Sequence, residues 1–280
     1  MKLNIFAIGL LAVGMSAHAA LIVLVTDFSD PARLGRLDLG TGVYSPYATT
    51  NVGEIFNGPG GSIVGFRENG DFVRVNGGTG VTTFVGPSGI QIDEPAQLAD
   101  GTIYTTDVGH RLYTVNPATG ATTLRGSTGF VDPAGGAFFV ALLAGQTNTL
   151  YAIATSVNLT TFDPIDHARL FKIDRNTGAP TFVANVANDF VTCGILIGGK
   201  EYLFDFLGGV STLNLTTGGV TPLYDLSATV GGIHGVASVP EPGTFAMGGL
   251  ALLALGLLRR KMQAQPEANY SVLEENSTPS

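Results

Sequence analysis

Chemistry in this chain is sought first among its carboxylates and imidazoles. Between residues 20 and 239 the chain holds three histidines, His110, His167 and His234, and one cysteine, Cys193. The densest grouping is Asp163-Pro164-Ile165-Asp166-His167. Two carboxylates and an imidazole this close can contact a partner or hold a hard cation. Ca2+ prefers about 6–8 oxygen ligands, so this group needs backbone or neighbouring oxygens to complete a shell. Asp107 with His110 is a second pair, at a strand end, where turn placement accounts for both. No two histidines stand at zinc-ligand spacing, and a Ser-centred Gly-x-Ser-x-Gly elbow is absent. The sequence therefore gives no catalytic residue, no metal site and no required cofactor, with Ca2+ the single ion it allows for. Asp163, Asp166 and His167 stand as a candidate partner loop.

A different chemistry lies near the C-terminus. Val239-Pro240-Glu241-Pro242-Gly243 is followed by an uncharged apolar run, Phe245 to Leu258, and then by Arg259-Arg260-Lys261. Pro240 and Pro242 bias the residues before them toward extended backbone, the form a protease binds. The apolar run would reach roughly 21 Å as a helix, short of the roughly 30 Å hydrocarbon layer. Flanking residues and snorkelling arginines narrow the difference. The basic triplet fits a cytoplasmic stop. This order resembles the PEP-CTERM sorting signal of exported proteins in Gram-negative bacteria that make extracellular polysaccharide. The resemblance implies an exosortase-type membrane protease as partner, with Pro240, Glu241 and Pro242 as the sorting tripeptide and Arg259, Arg260 and Lys261 as the stop. Family members usually end just after the basic residues, whereas here a polar stretch, Met262 to Ser280, continues.

The N-terminus agrees with export. Lys2, the apolar Ile5–Met15 and the small-x-small Ala17-His18-Ala19 read as a secretory signal peptide, residues 1–19, cut by signal peptidase before Ala20. The reading is thus a signal peptide (1–19), a core domain (20–239), a sorting signal (240–261) with a membrane helix at 245–258, and a disordered polar tail (262–280). With one cysteine, no disulfide can form within the chain. The core carries 18 Asp and Glu against 10 Lys and Arg, which argues against nucleic acid as a partner.

The core repeats itself. An apolar strand, Asp or Asn, two residues, Thr-Gly and a second strand recur at Asp38, Asn76, Asn116, Asp174 and Asn214. The Asx side chain can accept backbone N–H bonds and the glycine supplies positive φ, so each copy predicts a tight hairpin. The glycines, 42, 80, 120, 178 and 218, are spaced by 38, 40, 58 and 40 residues. A period near 40 with several strands per unit indicates a β-propeller. Strands around Val64, Tyr104 and Tyr202 precede three of the hairpins, and the innermost strands are expected at 89–92, 137–140 and 193–196. The chain's two ends together supply about one more repeat, so Ile233–Val239 is expected to complete the blade begun by Leu21–Thr26. The fold class is all-β: about five four-stranded blades, six if the long gap hides one. Its 11 extra residues are expected as a loop within Thr155–Ala168.

Gly89–Gly126 is similar to repeats of NHL-type and quinoprotein-type propellers. That likeness bears on fold and little on function, since the tryptophans and paired cysteines of the quinoproteins are absent. The functional expectation is an exported surface or extracellular-matrix protein whose propeller is a binding or structural module, with extracellular polysaccharide a possible partner. The alternative is an extracellular propeller hydrolase or lactonase. Acidic residues converging on the channel around a cation would favour the enzyme, and a Gly, Ala, Val and Thr lining the module.

Overall fold

The computed structural model describes residues 21–239, Leu159 and Phe162 excepted. The expected signal peptide, the sorting residues Pro240, Glu241 and Pro242, the helix at 245–258, the stop Arg259-Arg260-Lys261 and the polar tail lie outside the described residues.

Among the described residues, twenty strands form five antiparallel four-stranded sheets. The chain opens with β1 (Ile22–Asp27), β2 (Ala32–Asp38) and β3 (Tyr44–Thr50). The second blade is β4 (Glu54–Asn57), β5 (Ile63–Phe66), β6 (Asp71–Val75) and β7 (Thr82–Pro87). The third is β8 (Ile92–Gln97), β9 (Ile103–Asp107), β10 (Arg111–Val115) and β11 (Thr122–Ser127). The fourth is β12 (Gly136–Ala144), β13 (Leu150–Asn158), β14 (Pro164–Ile173) and β15 (Pro180–Asn185). The fifth is β16 (Val191–Ile197), β17 (Lys200–Asp205), β18 (Gly209–Leu213) and β19 (Val220–Asp225). The last strand, β20 (Ile233–Ser238), pairs with β1 from Val23↔Ser238 to Asp27↔Ile233. The first blade is thus closed by β20 against β1, as the sequence predicts, and among the described residues no sixth blade occupies the long gap.

Five apolar clusters lie between the blades, one at each junction. Val23, Val25 and Leu37 meet Phe204, Val210 and Ile233 where the fifth blade faces the first. Leu24 and Leu34 meet Ile55 and Val73 at the next junction. Phe56, Phe66 and Phe72 stack beside Ile103 and Val115 at the third. Phenylalanine and aliphatic side chains hold neighbouring blades together, and burial of each contributes roughly 1.5–3 kcal/mol.

The five hairpins have the predicted chemistry. The Oδ1 atoms of Asp38, Asn76, Asn116, Asp174 and Asn214 accept the N–H two residues on at 2.8–2.9 Å. The glycines that close the turns have φ between 71° and 78°. Each turn also seats on the neighbouring blade: a Cβ on Gly120 would stand 2.7 Å from the Gly86 carbonyl oxygen. All five outer strands carry a register shift opposite the third strand, so the same bulge recurs in every blade.

Two expectations are corrected. The innermost strand of the third blade starts at Ile92, not Gly89. Gly89 has φ 78° and Ser88 Oγ donates to the Ile90 carbonyl at 2.8 Å, so this glycine-led stretch is a turn. The extra residues of the fourth blade are not a loop either. They lengthen β12 and β13 to nine residues and β14 to ten, leaving only 159–163 as the connection. Asn158 Oδ1 caps that turn by accepting the Thr160 N–H at 2.8 Å.

Candidate functional site

Antiparallel order puts the connections between second and third strands, and those entering each innermost strand, at one end of the ring. The five Asx hairpins lie at the other end. At the first end a cavity of about 300 Å³ opens on the channel. Every blade contributes. Glu54 begins β4; Asp93 and Glu94 begin β8; Phe139 and Val140 come from β12; Val191 and Thr192 begin β16; His234 lies at the start of β20. Phe28, Phe206 and Leu207 reach in from the connecting turns, and Phe190 from the link into β16.

The rim is apolar and open to solvent: Phe28, Phe139, Phe206 and Leu207 are 43–53% exposed. Phe28 stacks on the His234 ring at 4.3 Å and meets Phe206 edge-on at 4.8 Å. The floor is acidic. His234 Nε2 stands 3.5 Å from Glu54 Oε1, while Glu54 Oε2 is shielded from solvent without a hydrogen-bond partner. Burial raises the Glu54 carboxyl, partly offset by His234. Burial, then the charges of Glu54, Asp107 and Asp132, push Asp93 up to about 8. Glu94 rises well above the usual carboxylate range through burial, Glu54 and Asp93. Beneath them the Cys193 thiol is pushed up by burial first and by Glu94 next. Thr192 Oγ1 donates to the Ile233 carbonyl at 2.5 Å, joining the fifth blade to the closing strand.

Burial thus biases the carboxyls of Glu54, Asp93 and Glu94 toward the protonated form, in which they can donate hydrogen bonds. The floor also holds latent negative charge that a positive group would release. Among the described residues, no three His, Cys, Asp or Glu side chains are grouped to hold a metal ion.

The loop residues singled out in the sequence do not converge. Asp163, Asp166 and His167 are exposed. Asp166 lies 3.7 Å from Arg169, whereas His167 Nδ1 meets Asp189 Oδ2 at 2.8 Å, which raises the imidazole's pKa. Asp107 is a turn residue: Oδ1 accepts the N–H groups of Gly109 and Arg111, and Oδ2 accepts from Arg111 and Tyr113. The backbone N–H of His110, at φ 57°, donates to the Asp107 carbonyl at 2.7 Å, while its ring turns to Asp132. Sequence reasoning missed Glu54, Asp93, Glu94 and His234. The available signal was an ionisable residue at the first or second position of three of the five innermost strands, hidden once β8 was placed three residues early.

Residues 238–261 match the PEP-CTERM protein-sorting motif. The chain carries an exosortase sorting signal. This is therefore an exported protein, anchored by that C-terminal signal, processed at the membrane and then released outward. No curated protein matches the chain. Solved structures similar to it include a protein of unknown function from Bacteroides thetaiotaomicron, at 14% identity and TM-score 0.48, over 74% of this chain and 56% of that one. TolB from Acinetobacter baumannii is similar at 15% identity and TM-score 0.46, over 79% and 55%. A gluconolactonase from Xanthomonas campestris is similar at 13% identity and TM-score 0.45, over 77% and 79%. The PEP-CTERM chain spans little more than half the length of the first two.

Proposed function

We propose that this PEP-CTERM protein is a ligand-binding module delivered to the cell surface or extracellular matrix, and that the channel cavity is its binding site. The observation that carries this is the convergence of all five blades on one apolar-walled, acid-floored cavity. Its size is at the lower end of small-molecule sites, which run from about 300 to 1,000 Å³. The lining differs from both outcomes that the sequence framed: carboxylates do converge, yet the wall around them is phenyl and aliphatic. The phenyl and aliphatic wall favours a binding role. The rim of the fourth blade, with Asp163, Asp166 and His167, lies at the same end of the ring and is placed to contact a larger partner such as extracellular polysaccharide.

The test is a binding screen of small molecules and glycans on residues 20–239, which contain the closed ring entire. Binding lost in Phe206→Ala and unaffected by Leu124→Ala, on an outer strand, supports the reading. Turnover of lactones by the same fragment, abolished by Asp93→Asn, would replace it with the hydrolase. Sorting is tested separately. Glu241→Ala in an exosortase-bearing host is expected to leave full-length protein in the inner membrane, whereas secreted material still ending at Ser280 would contradict processing at Pro240–Pro242.

A further inference from the structure

We propose that the cavity takes a small organic ammonium with an apolar body, its charged head among Glu54, Asp93 and Glu94 and its body against the phenyl rim. This rests on the cavity being the ligand site and names the chemistry of the ligand. Two independent features point the same way. The wall is Phe28, Phe139, Phe190, Phe206 and aliphatic side chains, a surface that favours an apolar body and whose ring faces attract cations. The floor concentrates three carboxyls, Asp189 adds a fourth to the lining, and among the described residues His234 is the single basic group there; one carboxylate oxygen, Glu54 Oε2, is shielded and unpartnered.

Charge complementarity then excludes the other occupants in turn. An anion meets three carboxyls. A bare inorganic cation finds no grouped ligand set among the described residues, and phenyl walls cannot replace its hydration shell. A sugar presents hydroxyls around its whole edge, and the aliphatic and phenyl wall leaves most of them unpaired, at a cost of about 1–3 kcal/mol each. An alkyl or aryl ammonium leaves nothing unpaired: its N–H groups donate to carboxylates and its carbon body desolvates on the rings. Because burial holds these carboxyls above the usual carboxylate range, proton release is expected as the ammonium binds. The groups that set that exchange are Glu54, Asp93 and Glu94, with His234, Asp107, Asp132, Asp189 and Cys193 around them.

The experiment is calorimetric titration of the processed protein with benzylammonium, benzyl alcohol and benzoate, in two buffers of different ionisation enthalpy. Benzylammonium is expected to bind about 10-fold or more tighter than the alcohol, a difference of about 1.4 kcal/mol, with benzoate weakest and with protons released. Glu94→Gln, checked for folding by circular dichroism, is expected to weaken the ammonium about 10-fold and the alcohol by less than about 2-fold. Equal affinity of alcohol and ammonium overturns the proposal and leaves the binding reading standing. Displacement of benzylammonium by millimolar Ca2+ overturns it in favour of a metal. Absence of binding by all three probes removes the proposal, while the glycan screen on the same protein decides the broader reading.

Discussion

The two ends of the ring are built on opposite plans. At the hairpin end one solution is used five times: an Asx side chain accepts an N–H, a Thr-Gly closes the turn, and the glycine nests on the neighbouring blade. At the channel mouth the innermost strands open with five different solutions: Glu54, Asp93-Glu94, Phe139, Thr192 and His234. Repetition marks positions where only backbone geometry matters. Divergence marks positions freed from that demand, and here they gather half-buried acids whose charged forms are disfavoured by their surroundings. Local cost without a structural return is a sign of a functional site.

The comparison breaks most sharply at β20, the one strand that serves both ends. It closes the ring through buried Ile233, Val236 and Ala237 and brings His234 to the mouth. Truncation after Gly232 is expected to abolish the cooperative melt altogether, because it exposes the edge of β1 and opens two apolar clusters. A retained sharp transition would show that the blades are stable without closure.

The next effect separates acids by position. Glu201, 2% exposed, sits away from the cavity, and both its carboxylate oxygens lack a partner. Burial pushes its carboxyl up to about 8. A folded-state value above the unfolded one means the native protein holds the proton more tightly. That stability is full below about pH 4 and is lost as pH rises toward 8. Glu201→Gln is expected to flatten the decline and to gain on the order of 3–4 kcal/mol near pH 8. Urea midpoints at pH 5 and 8 measure it, and an unchanged pH slope would contradict the burial argument.

Gly120→Val tests the hairpin end. The turn has φ 74° and a Cβ there overlaps the Gly86 carbonyl, so a loss of about 1–3 kcal/mol is expected, with ligand affinity of the folded fraction unchanged. Loss of affinity at constant stability would join the two ends that are separated here. The smallest effect is expected for His167→Ala. Its side chain is 83% exposed, and an exposed ion pair contributes less than about 1 kcal/mol. A large drop in melting temperature would make the fourth blade's rim structural rather than a contact surface.

What could be read from sequence followed the same division. The hairpins and the closing strand were legible because each depends on residues adjacent in the chain, or on a count of residues between them. The mouth was not, because Glu54 and His234 lie 180 positions apart in sequence and meet only once the ring closes. The local cluster Asp163-Asp166-His167 misled for the converse reason. Asp166 and His167 are successive residues of β14, so their side chains leave on opposite faces, one toward Arg169 and the other toward Asp189. The longer fourth blade read as a loop because its strand residues, Thr155 to Val157, are too few to show a period.

The central claim is that the mouth carries its acids against the interest of the fold. The most direct test is the melting temperature of Glu94→Gln against the parent protein, ligand-free, at pH 5 and pH 8. The raised carboxyl of Glu94 predicts that the amide's gain in melting temperature is clearly larger at pH 8 than at pH 5. An amide variant that melts below the parent protein at both pH values would show that Glu94 holds the ring together, and the division between a structural end and a functional end would fall.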